Sequence, residues 1–323
     1  MYNEIRLDKS LYSINGKNFT QALTDIDPDE NYADTELSGL DAFERQLKRF
    51  DIKVSGKNSD LVEKFFMSTE TAVLFPEYVR RTIKQGMDEA SFLPEISAAV
   101  SYTEQIDFRG LTVTKNGNSD VVAQGSTLPL TSVALASATT AMKKFARKIS
   151  YTYESIRKQR LEALGVILRN VGAGISKSIN LEAVTVLKTG ITPTEIAGAT
   201  IAYSDLATFW ASLSGYDMTE IVTTPAIMAD ILALEEMKYC INDYMASGRV
   251  KTPYGVTIIK CAELTDNVLV GLDASCAMET VFGTDVIVDF EKLLSTQCEE
   301  ISMSIIVGFS KLTSGAVGVL STD

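Results

Sequence analysis

The sequence predicts an α+β protein in which a protruding β-hairpin and one long helix accompany a compact domain. Three observations lead to this fold class. Residues 101–141 alternate apolar and polar residues on both sides of an Asn-Gly pair, as a hairpin does. Residues 154–187 carry apolar residues at steps of three and four, as one helix does. Residues 190–297 mix short helix and strand patterns, as a compact α+β domain does.

The composition indicates a globular protein and excludes several classes of enzyme. No apolar run approaches the roughly 18 residues of a membrane span, and residues 1–4 lack the basic and apolar regions of a signal peptide. The absence of histidine excludes Ser-His-Asp and Cys-His nucleophile systems and most catalytic zinc sites. GxSxG and GxxxxGK[ST] motifs are also missing. We therefore predict no enzymatic activity and no cofactor.

Charge and cysteine usage narrow the partners and the compartment. The net charge of −12 argues against a protein whose main function is to bind nucleic-acid phosphates, because such binding depends on clustered Lys and Arg. Cys240, Cys261, Cys276 and Cys298 are widely spaced without a CxxC pair. This spacing predicts buried free thiols in a reducing compartment and neither disulfides nor a zinc site.

The N-terminal quarter, residues 1–95, reads as an arm that carries short helices. Residues 1–36 have few large apolar residues and are predicted to be loosely ordered. Helices are predicted over residues 40–50, from Asp60 with Glu63 as a capping-box variant, and from Pro76 to Lys84.

The acidic stretch from Asp25 to Glu36 permits two interpretations. Its acids match positions one, three, five and twelve of an EF-hand calcium loop. The turn glycine of such a loop is Glu30 here, and Pro28 stiffens the segment. The alternative is a solvated acidic tail without a metal.

The hairpin is the most informative segment. Tyr102, Ile106 and Phe108 alternate with polar residues, and the apolar phase slips at Gly110, which predicts a β-bulge. After Asn116-Gly117 the return strand is predicted to begin near Val121 and to continue through Val133 and Leu135. An isolated two-stranded hairpin is marginal in water, so the arm needs a surface to lie on. A neighbouring copy of the chain is the simplest candidate; two ordinary strands of an internal sheet are the alternative.

Strand and helix patterns continue beyond the hairpin. Residues 143–153 alternate as a strand, and residues 301–309 form a second strand that is expected to pair with them. Gly165, Gly172 and Gly174 interrupt the helix pattern between them, which predicts a bend or a close approach of another backbone.

Five short motifs in this order resemble phage major capsid proteins of the Hong Kong 97 type. They are Leu40-Asp41-Ala42-Phe43-Glu44-Arg45-Gln46-Leu47, Leu74-Phe75-Pro76-Glu77-Tyr78-Val79, Gln124-Gly125-Ser126-Thr127-Leu128-Pro129, Tyr153-Glu154-Ser155-Ile156-Arg157 and Asn267-Val268-Leu269-Val270-Gly271-Leu272-Asp273. The resemblance implies the Hong Kong 97-like capsid fold. Its parts would be an N-terminal arm (1–95), an extended E-loop hairpin (96–142), a P-domain with a long spine helix (143–189 and 298–323) and an A-domain (190–297).

The same resemblance implies a function and partners. The chain would assemble with itself into hexamers and pentamers of an icosahedral head that encloses phage DNA. A portal and a scaffolding protein would be partners, with a decoration protein as a further one, no membrane, and only non-specific contact with DNA. The protein would be made in the host bacterial cytoplasm and reside in the virion. The rival interpretations are an encapsulin-like nanocompartment shell and a soluble α+β enzyme or binding module.

Two groups of residues are candidate sites. The E-loop residues expected to contact another subunit are Phe108, Arg109, Leu111, Val113, Lys115, Asn116, Gly117 and Val121. Lys115 at the predicted tip is either an isopeptide cross-linking lysine, as in some shells of this type, or a solvated turn residue. The second group is a basic face that comprises Lys143, Lys144, Arg147, Lys148, Arg157, Lys158 and Arg160. This face either meets packaged DNA or a neighbour's acidic arm, or it is a solvated face paired with Glu154 and Glu162.

Overall fold

The chain divides into two units, each assembled from segments far apart in sequence. The first unit contains residues 1–89, 146–175 and 286–304, and the second contains residues 90–145, 176–285 and 305–323. The computed structural model describes residues 5–14, 16–105, 107–116, 121–137, 139–198, 200–213, 215–293, 295 and 297–322, without the side chains of residues 112–116, 153 and 154. The predicted division into N-terminal arm, E-loop, P-domain and A-domain stays a prediction.

The described helices and strands are as follows. The α-helices are α1 (Phe19–Ile26), α2 (Ala42–Arg49), α3 (Thr69–Ala90), α4 (Leu93–Ile96), α5 (Tyr153–Arg157), α6 (Leu161–Lys188), α7 (Tyr203–Ser212), α8 (Pro225–Ala233) and α9 (Ile241–Ser247). Single 3-10 turns cover Lys9–Ser13, Asp29–Tyr32, Val62–Phe66, Glu235–Cys240 and Ser314–Ala316. The strands are β1 (Ala99–Tyr102), β2 (Asp107–Phe108), β3 (Leu111–Asn116), β4 (Leu130–Leu135), β5 (Thr140–Ala141), β6 (Lys143–Thr152), β7 (Thr194–Glu195), β8 (Glu220–Thr223), β9 (Val250–Lys251), β10 (Thr257–Lys260), β11 (Val268–Leu272), β12 (Met278–Phe282), β13 (Ile287–Leu293), β14 (Cys298–Lys311) and β15 (Val317–Ser321). Within the described part, no helix is long and apolar enough to cross a membrane.

Residues 5–14 and 16–36 are folded, so the prediction of a loosely ordered segment is wrong for them. The side chains of Asn18 and Gln21 form a capping box that starts α1. Phe19, Leu23 and Tyr32 are buried in the first unit. A few large apolar residues thus suffice to anchor this segment, which a low apolar fraction does not reveal.

The acidic stretch holds a buried ion pair. Arg45 and Asp27 are each almost fully buried, and Nε of Arg45 donates to Oδ2 of Asp27 at 3.1 Å. Asp27 also accepts from the hydroxyl of Tyr32 at 2.7 Å, and Arg45 donates to Asp29 at 2.7 Å. No group of metal-ligating side chains occurs among the described residues. Asp27 is therefore committed to Arg45, and the solvated-tail interpretation is wrong for this residue.

Two of the three predicted N-terminal helices differ from the prediction. α2 lies where the spacing placed it, with Asp41 and Glu44 as a capping box. The segment after Asp60 forms only a 3-10 turn, because the Asp60 carboxylate accepts from the backbone N–H of Lys53 at 2.7 Å and does not cap a helix.

α3 starts seven residues before Pro76 and contains this proline. Ser68 and Thr71 satisfy its first turn, since the N–H of Thr71 donates to the Ser68 hydroxyl at 3.1 Å. The predicted start at Pro76 is therefore wrong, because this local cap begins the helix earlier.

Glycines let α3 and α6 approach each other closely in the first unit. A Cβ atom at Gly86 would lie 2.1 Å from the carbonyl oxygen of Arg169, and one at Gly172 would lie 2.1 Å from that of Ile83. Gly174 has open space around it. The predicted close backbone packing is confirmed for Gly172 but not for Gly174.

The long predicted helix is interrupted after Arg157. α5 ends there and α6 begins at Leu161, whose N–H donates to the carbonyl of Asp60 at 2.8 Å. Arg160 forms an antiparallel bridge with Leu61. These backbone bonds to a distant segment replace helix bonds, so α6 is about 42 Å long at about 1.5 Å per residue.

The strands of the first unit confirm the predicted pairing of β6 with the later strand. β6 pairs with β14, and β13 is antiparallel to β14 from Ile287 opposite Ser304 to Leu293 opposite Cys298. The strand that the sequence predicts over Asp285–Asp289 is observed as β13, which begins two residues later at Ile287.

The second unit is built on a six-stranded sheet in the order β7-β15-β11-β8-β10-β9. The sequence patterns predict strands over Glu220–Thr223 and Val268–Leu272 and a helix over Tyr203–Leu213. β8 and β11 have these bounds, and α7 ends one residue earlier. Leu206, Phe209, Ile221, Ile231 and Leu269 belong to the hydrophobic core of this unit. The sequence patterns thus predicted the central strands and not the short edge strands β7 and β9.

A second group of strands lies in this unit. β1 is parallel to β12, and β12 is antiparallel to residues 307–311 of β14. Residues 101 and 102 therefore belong to this sheet and not to the hairpin. Cys240 and Cys261 are buried free thiols as predicted, whereas Cys276 and Cys298 are partly exposed.

Candidate assembly surfaces

The hairpin of β3 and β4 exists, but its turn is not the predicted one. β3 is antiparallel to β4, with Leu111 opposite Leu135 and Asn116 opposite Leu130. Asn116 faces Leu130, and residues 121–129 belong to no strand. The predicted tight turn at Asn116 and the return strand from Val121 are therefore wrong.

The base of the arm is interrupted at Gly110, where the apolar phase predicted a bulge. β2 pairs with β5, with Phe108 opposite Thr140, so residues 109–110 face residues 136–139 of the return strand. The N–H of Ala136 donates to the carbonyl of Gly110 at 2.8 Å. A Cβ at Gly110 would lie 2.0 Å from Oγ of Ser310, so only glycine fits here.

The arm beyond this base exposes large apolar side chains. Every residue of β4 is exposed, so neither face of β4 is covered by its own unit. The exposed apolar side chains of the arm, between 46% and 90% accessible, are Leu111, Val121, Leu128, Leu130, Val133 and Leu135. A cluster of exposed apolar side chains is uncommon on the surface of a monomeric protein and usually marks an interaction surface.

The predicted contact residues fall into three groups. Arg109, Leu111 and Val121 are exposed, whereas Phe108 is half-buried and occupies the space that a Cβ at Gly308 would need. Val113, Lys115 and Asn116 pair in β3 through their backbones. Gly117 lies outside the described residues, and so does the tip to which a Lys115 cross-link was assigned.

The sequence analysis did not select two exposed leucines as contact residues. Leu128 and Leu130 flank Pro129 and follow the predicted turn. The signal was present as an apolar pair beside a proline, but the incorrect tight turn placed these residues inside a continuous strand.

Four of the basic residues interact with groups on their own unit. In the first unit, Lys148 pairs with Glu300 at 2.7 Å, and Nη1 of Arg160 donates to the carbonyl of Ser59 at 2.8 Å. The guanidinium of Arg157 lies 5.5 Å from the centre of the Phe66 ring. In the second unit, Lys143 pairs with Glu182 at 2.6 Å.

Three basic residues remain available to a partner. Lys144, Arg147 and Lys158 are exposed, and none forms an ion pair within 4.0 Å in the described part of the chain. The acidic partners found for Lys143 and Lys148 are Glu182 and Glu300, and the side chain of Glu154, a predicted partner, lies outside the described part of the structure. Two of the seven basic residues are thus neutralised by ion pairs within their own unit.

A partly buried carboxylate, that of Glu220, lies at the start of β8. Burial, with a smaller contribution from Glu95, raises the pKa of Glu220 to about 7. Oε2 of Glu220 is buried without a hydrogen-bond partner among the described residues. Glu95 is held by Nη2 of Arg249 at 2.8 Å.

Comparison of the sequence with protein families decides what these surfaces belong to. Residues 136–293 match the family described as phage capsid protein. Over this stretch, which is just under half of its length, the chain is similar to phage capsid proteins. The match covers β6, α6 and most of the second unit. None of the curated protein sequences matches the chain.

Solved structures place the capsid protein in the Hong Kong 97 fold. The chain is similar to a virus-like particle from Pyrococcus furiosus, with 14% identity, a TM-score of 0.56, and coverage of 76% of this chain and 98% of that one. The capsid of a native GTA particle gives 11% identity, a TM-score of 0.52 and coverage of 72% and 89%. Microbacterium phage Oxtober96 gives 12%, a TM-score of 0.50 and coverage of 72% and 90%.

The predicted fold class is thereby confirmed, and the family match supports the predicted family. The same match supports a structural component of the virion that assembles with itself into a shell. The family match favours a phage shell over an encapsulin-like compartment, and it favours a structural protein over a soluble enzyme or binding module.

Proposed function

We propose that the capsid protein assembles into hexamers and pentamers that close an icosahedral head around phage DNA. The arm of one subunit lies across the next subunit and supplies the contact that holds neighbours together. Its contact residues are those predicted from the sequence, with Leu128, Leu130, Val133 and Leu135 added and Phe108 serving as an anchor at the base.

The exposed apolar surface of the arm carries this proposal. A two-stranded hairpin is at best marginal in water by itself. Each large aliphatic side chain that becomes buried on a neighbour contributes about 1.5–3 kcal/mol before the costs of ordering are subtracted. A surface that the subunit leaves open is thus the surface that assembly covers, and head-to-tail contacts of this kind close into rings.

The remaining basic residues contact DNA without reading its sequence. Lys144, Arg147 and Lys158 offer cations to phosphates, while the net charge of −12 keeps the overall affinity low. The four-part organisation into N-terminal arm, E-loop, P-domain and A-domain is part of this proposal. A portal, a scaffolding protein and a decoration protein complete the set of partners, and synthesis takes place in the host bacterial cytoplasm.

The test removes the arm at its base. Residues 111–135 are replaced by a two-residue Asn-Gly linker, because Gly110 and Ala136 are hydrogen-bonded neighbours at this point. We expect a subunit with normal circular dichroism and thermal unfolding that forms no particles by negative-stain electron microscopy. Deleting residues 103–127 alone would leave β4 without its partner β3.

A second variant keeps the hairpin and changes only its chemistry. Leu130, Val133 and Leu135 become threonine, which retains strand propensity but removes apolar area. We expect this variant also to fail in assembly. Normal particles from both variants would show that the arm is not the assembly device.

The content of purified particles tests the remaining part. Particles from infected cells should contain DNA of genome length. Similarity to a virus-like particle motivates the second candidate, an encapsulin-like shell. Particles that contain a protein cargo and lack DNA would support that candidate instead.

A further inference from the structure

The second unit carries an apolar groove that no part of the described unit fills. A cavity of about 530 Å³ lies between α8, the 3-10 turn of residues 235–240, α9 and the edge strand β9. Its apolar wall is formed by Met228, Leu232, Met237, Ile241 and Tyr244. The size and lining are those of a site that takes large apolar side chains.

Helix α9 beside the groove lacks the burial that a short helix needs. It has seven residues, and none of them is buried. Ile241, Tyr244 and Met245 lie on one face, because residues three and four apart are neighbours on a helix. Isolated helices shorter than about 12–15 residues are marginal in water, so a partner that covers this face would stabilise α9.

Two apolar side chains project from the same segment without lining the groove. Tyr239 is 86% exposed and Met245 is 78% exposed. Aromatic residues and methionine are enriched at the centres of protein interfaces. The segment of residues 235–247 thus lines an apolar groove and also presents exposed apolar side chains that such a groove can bind.

The charges of the groove and of the projecting segment are complementary. Lys251 and Lys260 line the groove, and Asp243 is exposed on α9 between Tyr239 and Met245. Within the described part of the chain, none of these three forms an ion pair within 4.0 Å. Complementary charges at the rim of an interface fix its register and its partner.

We propose that the groove receives Tyr239 and Met245 of a second copy, with Asp243 of that copy near Lys260. The receiving and projecting residues differ, so the contact is head-to-tail and repeats around a ring of subunits. This inference rests on the proposed assembly function and names a contact separate from the arm.

A charge exchange tests whether the occupant is a second copy. The variants are D243K, K260E and the double variant D243K/K260E, prepared as full-length protein. We expect each single change to reduce the assembled fraction in sedimentation velocity at least tenfold at low salt. The double variant should restore assembly to within about threefold of wild type, because it exchanges the two charges and the pair is again attractive. Single variants that assemble normally, or a double variant no better than the singles, would overturn the proposal.

Changes to the apolar part supply an independent test. A229W places a bulky side chain on the groove wall, and Y239S/M245S removes the projecting side chains. Both should lose particles while retaining the thermal unfolding of the free subunit. The matched control is M67S, which removes an equally exposed methionine in the first unit and should assemble normally.

The outcomes separate this inference from the proposed function. If wild-type protein formed no particles under any condition, the assembly function itself would fail. If wild-type protein and both apolar variants formed the same particles, only the groove contact would fail. A groove that binds a different protein leaves homotypic assembly of A229W intact, which also overturns the proposal.

Discussion

At the scale of single residues, the first unit depends on buried charges that no local sequence pattern predicts. Arg45 lies among Asp27, Asp29 and a backbone carbonyl, and Glu77 is fully buried between Arg80 and Arg81. Burial by itself would raise the pKa of Glu77, but the hydrogen bonds and charge of Arg80, together with hydrogen bonds from Thr20 and Arg81, outweigh it and hold this pKa below its ordinary value. Lys, Arg, Asp and Glu are almost never fully buried unless paired, and pairing joins residues distant in sequence.

Removing one partner of the buried pair should unfold the first unit. R45M leaves Asp27 charged and unpaired, which costs about 3–5 kcal/mol, whereas D27N/R45M recovers much of this loss. Urea unfolding of the free subunit measures both. K238M, which breaks the exposed pair of Lys238 and Glu235, is the control and should cost under about 1 kcal/mol. Equal losses for R45M and K238M would contradict the importance of the buried pair.

Glu220 should make the second unit less stable as the pH rises. Its folded pKa of about 7 lies above the ordinary value of 4.5, so the folded state binds the proton more tightly than the unfolded state does. The stabilisation from this proton is fully present below pH 4.5 and is lost as the pH rises through 7. E220Q should flatten the decline of the melting temperature between pH 5 and pH 8. Parallel profiles for E220Q and wild type would show that Glu220 does not titrate in this range.

At the scale of helices and strands, the sequence predicted existence and type better than ends. β8 and β11 were found with their observed bounds because alternation and apolar runs are local signals. The break between α5 and α6, the start of α3 and the register of the hairpin were missed. The backbone bond of Leu161 to the distant Asp60 and the pairing of Asn116 with Leu130 set the first and the third, and a short window of sequence does not contain them. The start of α3 depends on the local cap of Ser68 and Thr71, which a search for capping residues could have found.

The crossing of α3 and α6 offers a prediction at this scale. G172A places a methyl group against the carbonyl of Ile83, which should destabilise the first unit by about 1–3 kcal/mol. G174A has room for the methyl group and should stabilise α6 by up to about 1 kcal/mol. Thermal unfolding of the free subunits distinguishes them. The close crossing would be contradicted by two variants that shift stability in the same direction.

At the scale of the whole molecule, the order of the elements was enough to indicate the capsid fold. The hairpin, the long helix and the last strands follow each other as the five motifs suggested, and the family match of residues 136–293 agrees. The apolar groove and the pairs within the basic face were not predictable, because each is assembled from separate elements. A periodicity identifies which side of an element is apolar, but not what lies opposite.

The three exposed basic side chains of the basic face lead to a prediction about DNA binding. Changing Lys144, Arg147 and Lys158 to glutamine should weaken non-specific DNA binding by isolated capsid protein. The slope of log K against log salt should fall by up to about 2.7, since each phosphate contact contributes about 0.9. Filter binding at several salt concentrations measures this slope. The control, K9Q/K57Q, changes exposed lysines outside the basic face and should leave the slope unchanged. An unchanged slope in the triple variant would show that Lys144, Arg147 and Lys158 do not contact DNA.

The single hydrogen bond between Ala136 and Gly110 has a further consequence for how such heads diversify. A ribbon whose two ends meet at one point behaves as an interchangeable cassette, because lengthening, shortening or replacing it disturbs no core. Spacing between subunits can therefore change through insertions in this one segment while the rest of the polypeptide keeps its architecture. Foreign peptides placed within residues 121–129 should be displayed without loss of folding.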